Sequence, residues 1–323
     1  SIDMTSIDEG LFIPVGGLEQ WVTIRGSDVR NPAVLVLSGA GAAFSGAAPL
    51  FEPWQARFTV VQWDQPGAGA TAARAGVDLE PLSYARVARD GLAVVEAALA
   101  RLGQAKLALF GISGGTVVGL HMLKARPDLF SVYVATGQIT NWARQEALSY
   151  GMILRRARAA GDAAPVAEIE GIGPPPWSDV ACDAIKGRYA NALTVAEQAA
   201  LDPVTLAGLR SPPTDAPYVA KGLPRRDPYA DGLAAFTALK PELAAFDAEA
   251  LGLAFAVPMV FLQGAQDAHT PAVEVEAYAA KLRAPSVRYE RVDEGGHMAL
   301  FLRERMAGLL ETHVRPLAVE AGA

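Results

Sequence analysis

The sequence predicts an α/β fold: a mostly parallel sheet flanked by helices, with a helical cap inserted between core strands. Apolar runs at 33–37 and 58–63 are continuous rather than alternating, as strands buried on both faces require, and further strand-type runs lie at 106–112, 131–136 and 257–264. Segments with helical spacing separate most of them, and strands that alternate with helices build a parallel sheet. From about residue 141 to 252 the grammar changes. Helical patches there are broken by Pro174-Pro175-Pro176, Pro203, Pro212-Pro213, Pro217, Pro224 and Pro228, and no comparable strand run appears. The chain therefore divides into a core of residues 1–140 and 253–323 and a helical cap of residues 141–252.

Two short β-type runs, 11–15 and 18–25, flank Gly16-Gly17 and read as an antiparallel hairpin in which Pro14 suits an edge strand. The strand at 33–37 ends in Ser38-Gly39-Ala40-Gly41-Ala42, and the strand at 58–63 ends in Asp64-Gln65-Pro66-Gly67-Ala68-Gly69. Neither glycine-rich end carries the third glycine of a dinucleotide loop, and no Gly-Lys-Ser/Thr follows, which argues against nucleotide binding. Tyr84, Ala88, Gly91, Val95, Ala98 and Leu102 then step by fours and threes between the N-cap residue Ser83 and a stop at Gly103, marking a sheet-covering helix. Residues 116–125 are apolar nearly all round, so this helix is the central buried one, ended by Arg126-Pro127. After the cap come a strand at 257–264, a helix at about 273–282, a strand at 286–292 and a last helix at about 298–313.

A chain of 323 residues with 51% hydrophobic and 20% charged residues has an ordinary globular balance, which excludes whole-chain disorder. The net charge is −7, and basic residues cluster no further than pairs such as Arg155-Arg156 and Arg225-Arg226, so nucleic acid is not an expected partner. The single Cys182 excludes an intrachain disulfide and reads as a buried bystander thiol. Four scattered histidines leave no structural zinc site. No apolar run reaches the ~20 residues of a membrane span, and residues 1–10 are polar and acidic, unlike a signal peptide. The expectation is a soluble, cytoplasmic protein with no membrane partner.

Within this frame Gly111-Ile112-Ser113-Gly114-Gly115 stands out. A strand-type run enters it and a helical run leaves it, which is the context of a nucleophile elbow. Such a turn brings strand and helix so close that the positions two before and two after the serine, Gly111 and Gly115, must carry no bulky side chain. With 31 glycines in the chain, the pentapeptide gains its weight from partners elsewhere. A serine hydroxyl needs a base, and the base needs a carboxylate to fix its tautomer. His121 lies eight residues past Ser113 on the same helix, about 12 Å along its axis, and points away. His313 reads as a residue of a helix C-terminal turn. His269 sits in a loop after a strand, two residues from the best acid. His297 is better placed, because Gly295-Gly296 lets its loop fold back over the strand ends. Asp267 follows the strand at 257–264 on the carboxyl edge of the sheet, where open α/β folds build sites. Asp293 and Glu294 lie too near His297 to brace it and read as turn caps. For a developing oxyanion the amide of Gly114 is one donor, and Ala40, in the loop after the first buried strand, is the second.

These residues resemble the α/β-hydrolase superfamily across nearly the whole chain, with its order of Ser113, Asp267 and His297, and more narrowly its proline iminopeptidase-like branch. The resemblance rests on Asp64-Gln65-Pro66-Gly67-Ala68-Gly69, similar to that branch's Asp-Gln-Arg-Gly-x-Gly, and on Gly111-Ile112-Ser113-Gly114-Gly115. It rests also on Gln263-Gly264-Ala265-Gln266-Asp267 and Gly295-Gly296-His297-Met298. It implies an α/β-hydrolase fold with a helical cap. The chain departs from the branch at its oxyanion loop (Ser38 to Ala42, where the branch has His-Gly-Gly-Pro-Gly), at Pro66 and at Gly114, where the branch has arginine and tryptophan. Branch members hold a substrate amine with cap glutamates. Glu146, Glu168 and Glu170 lie in the corresponding region, but read more simply as surface carboxylates. Trp142, Trp177, Tyr150 and Tyr189 either line an acyl or prolyl pocket or pack the cap. The expected activity is a serine hydrolase acting through an acyl-enzyme on a small ester or an N-terminal prolyl amide or peptide. A carboxylesterase without peptidase activity and a catalytically idle binding protein are the alternatives. The chemistry requires no cofactor and no metal; pocket shape and oligomeric state are not legible.

Overall fold

The computed structural model describes residues 5–39, 47–75, 80–203, 221–224 and 226–322. Their sheet has eight strands: β1 (Ile7–Val15), β2 (Leu18–Gly26), β3 (Ala33–Leu37), β4 (Thr59–Trp63), β5 (Leu107–Ile112), β6 (Phe130–Thr136), β7 (Met259–Gly264) and β8 (Val287–Val292). Their spatial order is β1-β2-β4-β3-β5-β6-β7-β8. β1 and β2 form the predicted hairpin, with Gly16 and Gly17 at φ 58° and 83° in its turn, and β2 runs antiparallel to β4. All other pairings are parallel. β1 begins at Ile7, earlier than the apolar pattern suggests, because backbone pairing with β2 extends it beyond its apolar half. Pro14 lies on this outer strand, where its missing N–H costs the ladder nothing.

The continuous apolar runs are explained by two cores, one on each face of the sheet. Leu35, Leu37 and Leu109 face one, with Val87, Val94 and Val95 of the helix Tyr84–Leu102 and Val117 and Val118 of the helix Gly114–Ala125. Val34, Val36, Ala108 and Phe110 face the other, with Phe51, Trp54, Met306 and Leu310. Successive strand residues point to opposite faces, so a strand covered on both sides must be apolar throughout. Ser83 caps the helix Tyr84–Leu102 by accepting from the Arg86 amide, and Gly103 ends it at φ 66°. The helix Ala272–Lys281 covers the same face as these two.

Two expectations change. The single closing helix is a short turn, Ala299–Phe301, followed by the helices Arg303–His313 and Arg315–Gly322. Leu302, at φ −75° and ψ 69°, leaves helical geometry and breaks the run. Cys182 is half-buried rather than buried, because it lies on the helix Val180–Ala190, whose buried residues are only Lys186 and Ala190.

Between β6 and β7 the described chain forms the helices Trp142–Ala160, Ala163–Ile172, Val180–Ala190, Val195–Ala200 and Pro228–Ala244. Its two ends are stitched together where Asn141 bridges Asp247, with Trp142 N–H donating to the Phe246 carbonyl and Ala248 N–H to that of Thr140. Among the described residues no helix is long and apolar enough to cross a membrane.

Candidate active site

β5 delivers Ser113 at its carboxyl end. Ser113 has φ 50° and ψ −117°, and among the described residues it is the only non-glycine at positive φ. Such a conformation costs on the order of 1–3 kcal/mol and persists only where its surroundings enforce it. They do so here. The Ser113 amide donates to the Thr136 carbonyl on β6 at 3.1 Å, and its carbonyl accepts from the Thr116 amide at 2.9 Å and from the Thr116 hydroxyl. A Cβ on Gly111 would lie 3.1 Å from Thr116 Cα, so strand and helix meet as the motif requires. The constraint on Gly115 has a different source: a Cβ there would lie 2.1 Å from the Leu37 carbonyl oxygen at the end of β3.

His297 reaches Ser113 from the loop after β8. Its Nε2 lies 3.0 Å from Ser113 Oγ, and its Nδ1 lies 2.9 Å from Asp267 Oδ2. An ionised carboxylate only accepts, so Nδ1 carries the proton and Nε2 presents its lone pair to the serine hydroxyl. Gly137, at φ 63°, makes room for the ring, since a Cβ there would lie 2.8 Å from His297 Cε1. Asp267, 1% exposed, sits just past β7. Its Oδ1 accepts from the amides of His269 and Thr270, both at 2.8 Å, and its Oδ2 also accepts from Thr270 Oγ1 at 2.7 Å and Gln263 Nε2 at 3.2 Å. Burial pushes this carboxyl up, but His297 and the Thr270 hydrogen bonds outweigh it and hold it below its ordinary value.

Ser113 and Gly114 open into a cavity of about 860 Å³ lined largely by apolar side chains of the helices between β6 and β7, among them Trp142, Ile185 and Phe236. Gly114 begins its helix, so its amide has no intrahelical acceptor. Ala40 lies outside the described residues; Gly39, immediately before it, lines the cavity.

The reading of Glu146 as a surface carboxylate is corrected. Glu146 is 4% exposed, lines the cavity, and is ion-paired to Lys186, itself 2% exposed. Burial raises its carboxyl above the usual range, against the opposing pull of Lys186. It is buried because the helices Trp142–Ala160 and Val180–Ala190 pack face to face and bring the two charges together. Among the described residues the other cavity carboxylate, Asp183, is paired with Lys240. Glu168 and Glu170 pair with Arg188 and Arg158 at the surface. The aromatic residues divide: Trp142 lines the cavity, whereas Tyr150 packs edge-on against Trp177 at 6.3 Å.

His121 faces Phe246, with ring centroids 6.4 Å apart, and His313 pairs with Glu290 at 3.4 Å. His269 is in the site but in another position than the base: its Nδ1 lies 2.8 Å from Lys186 Nζ, and its ring packs edge-on against that of His297 at 4.5 Å. Among the described residues no cluster of His, Cys, Asp or Glu suits a metal ion.

Sequence reasoning missed several supports. Thr270 and Gln263 brace Asp267. Glu197, fully buried, accepts from the Gly296 amide at 2.7 Å and the Thr194 amide at 3.0 Å, so a helix of the inserted segment holds the loop carrying His297. Thr194-x-x-Glu197 forms a capping box and carries the Thr-x-x-Glu signature, so its local role was readable. Its grip on Gly296 was not.

Comparison with known proteins gives the same architecture. The chain is 28% identical over 288 residues to probable aminopeptidase YbaC of Bacillus subtilis (strain 168), covering 88% of this chain and 89% of that one. The crystal structure of a proline iminopeptidase-related protein from Thermus thermophilus superposes with a TM-score of 0.60 at 20% identity, covering 98% of this chain and 99% of that one. A thermophilic esterase from Thermogutta terrifontis gives 0.57 at 17% identity, covering 97% and 99%. The model of the alpha/beta hydrolase family matches residues 34–312, and the chain belongs to that family.

Proposed function

We propose that this protein is a serine hydrolase that works through an acyl-enzyme on a small ester or an N-terminal residue amide, in the manner of proline iminopeptidases. The observation that carries the reading is the continuous relay from Ser113 Oγ through His297 to Asp267, at 3.0 and 2.9 Å. In it Ser113 Oγ attacks the substrate carbonyl while His297 Nε2 takes the hydroxyl proton. Asp267 keeps the imidazole in the reactive tautomer and stabilises its charged form. The Gly114 amide, with a second donor from the loop after β3 at Ala40, holds the tetrahedral oxyanion. His297 then protonates the departing alcohol or amine, and water, activated in the same way, releases the acid and regenerates Ser113. Residues 141–252 act as a cap whose helices shape the acyl pocket. The substrate is a small molecule or short peptide.

The names of the relatives favour the peptidase arm. The carboxylesterase arm is favoured by a specific feature: among the described residues both acidic side chains of the cavity, Glu146 and Asp183, are paired with lysines and so are not spare partners for a substrate amine. The test has two stages. A fluorophosphonate probe should label the wild type and leave Ser113→Ala unlabelled; an unlabelled, folded wild type rejects the serine mechanism. A prolyl anilide with a free amine is then compared with its N-acylated analogue and with short-chain aryl esters. A peptidase demands the free amine, and an esterase does not.

A further inference from the structure

Lys186 and His269 form a hydrogen-bonded unit that the acyl-transfer steps leave unused. An ammonium group only donates, so the 2.8 Å contact makes His269 Nδ1 the acceptor and places the ring proton on Nε2. Glu146 is ion-paired with the same lysine. Burial first, then the neighbouring Lys186 and His297, hold His269 well below the usual imidazole range, so a second proton does not join the first. The ring lines the same cavity as Ser113 and lies edge-on to His297, whose Nε2 contacts the serine. Among the described residues His269 Nε2 has no protein partner. The cavity wall therefore includes a neutral ring of fixed tautomer whose Nε2–H no described residue engages, one ring removed from the His297 nitrogen that contacts Ser113, with its flanking charges balanced in pairs.

We propose that His269 is a specificity-determining residue that donates its Nε2–H to an uncharged acceptor on the acyl group, such as an ether, keto or hydroxyl oxygen near the scissile carbonyl. Lys186 is a positioning residue that fixes the donor tautomer. The assignment rests on Ser113 being the nucleophile. It also names the group that is disfavoured: a substrate ammonium would meet a donor at this point, and both nearby carboxylates are already engaged.

An aryl methoxyacetate and an aryl butanoate with the same leaving group differ by one oxygen in place of a methylene. Dividing each kcat/KM by the hydroxide rate constant of the same ester removes intrinsic reactivity. The normalised ratio in the wild type should favour the methoxyacetate by about fivefold, the scale of one net neutral hydrogen bond. His269→Phe keeps a ring against His297 but removes the donor, and should bring the ratio to about one. Lys186→Met, which frees Nδ1, should lower it as well. A wild-type ratio of about one or below, or a ratio unchanged in His269→Phe, overturns the assignment, and the wild-type measurement stands even where a variant fails to fold. Fluorophosphonate labelling of the same preparations separates the two levels. Labelled enzyme with an unbiased ratio removes only the role of His269, whereas unlabelled enzyme that turns over neither ester removes the serine-hydrolase reading beneath it.

Discussion

Gly264, the last residue of β7, packs backbone against backbone on Gly296: a Cβ on Gly264 would lie 2.1 Å from the Gly296 carbonyl oxygen and 2.8 Å from the Gly295 carbonyl carbon. The strand that presents Asp267 and the loop that presents His297 are thus set by direct contact. Gly264→Ala should displace the His297 loop. A misplacement of about 1 Å at such a site costs on the order of 100-fold. Ester kcat/KM should fall by that factor with far-ultraviolet circular dichroism preserved; a rate near wild type would show that the loop reseats with its geometry intact.

Asp267→Asn cannot satisfy its surroundings in either orientation. With Nδ2 at the Oδ2 position it faces the His297 Nδ1 proton and selects the wrong tautomer; at the Oδ1 position it faces the amides of His269 and Thr270. The expected loss is on the order of 10⁴ in kcat, with a smaller change in KM, measured by steady-state ester hydrolysis.

Glu197 uses both carboxylate oxygens as acceptors, one for Gly296 N–H and one for Thr194 N–H. Glu197→Gln keeps only one acceptor, leaving an amide facing an NH₂ group. The variant should lose about 1–3 kcal/mol in urea unfolding, the cost of one unsatisfied buried group. Because the strained contact bears on the His297 loop, kcat should fall about tenfold while KM changes little. Lost stability with kcat intact would make Glu197 a purely structural cap.

His269 predicts the acid limb of stability. Its proton affinity in the fold is depressed by burial, by Lys186 and by His297. The unfolded chain then binds a proton that the folded chain does not, so stability rises with pH between the depressed native value and the unfolded value of about 6.5. The contribution is fully present above about pH 6.5 and is lost as pH falls through the window below it. Urea titrations across this range should show a shallower pH slope for His269→Phe than for the wild type. Equal slopes would mean that His269 takes up its proton in the folded state.

The strands were legible because a strand buried on both faces is a local pattern: Ala33–Leu37 and Leu107–Ile112 contain no charged residue. Ser83 and Gly103 marked their helix for the same reason, since caps are local chemistry. Ser113, Asp267 and His297 could be picked out as candidates because each follows a strand on the sheet's carboxyl edge; the fold brings their side chains within hydrogen-bond distance. The break at Leu302 was not legible, as the apolar spacing around it suits one helix. Nor was the burial of Glu146, because its partner Lys186 stands on a different helix and nothing in either neighbourhood marks the pairing.

By itself the sequence determined which segments become strands and, the break at Leu302 apart, the helices of the core, together with the glycine-lined turn at Ser113 and the candidate acid and histidine at the strand ends. These depend on side-chain periodicity and backbone permissiveness, which act over a few residues. The tertiary structure alone decided what surrounds them. It placed the Leu37 carbonyl against Gly115, the Gly296 carbonyl against Gly264, and Glu197 under the His297 loop. It also put Lys186 between Glu146 and His269. The physical reason is that a buried charge or close backbone approach is acceptable only with a specific partner, and those partners come from distant parts of the chain through packing.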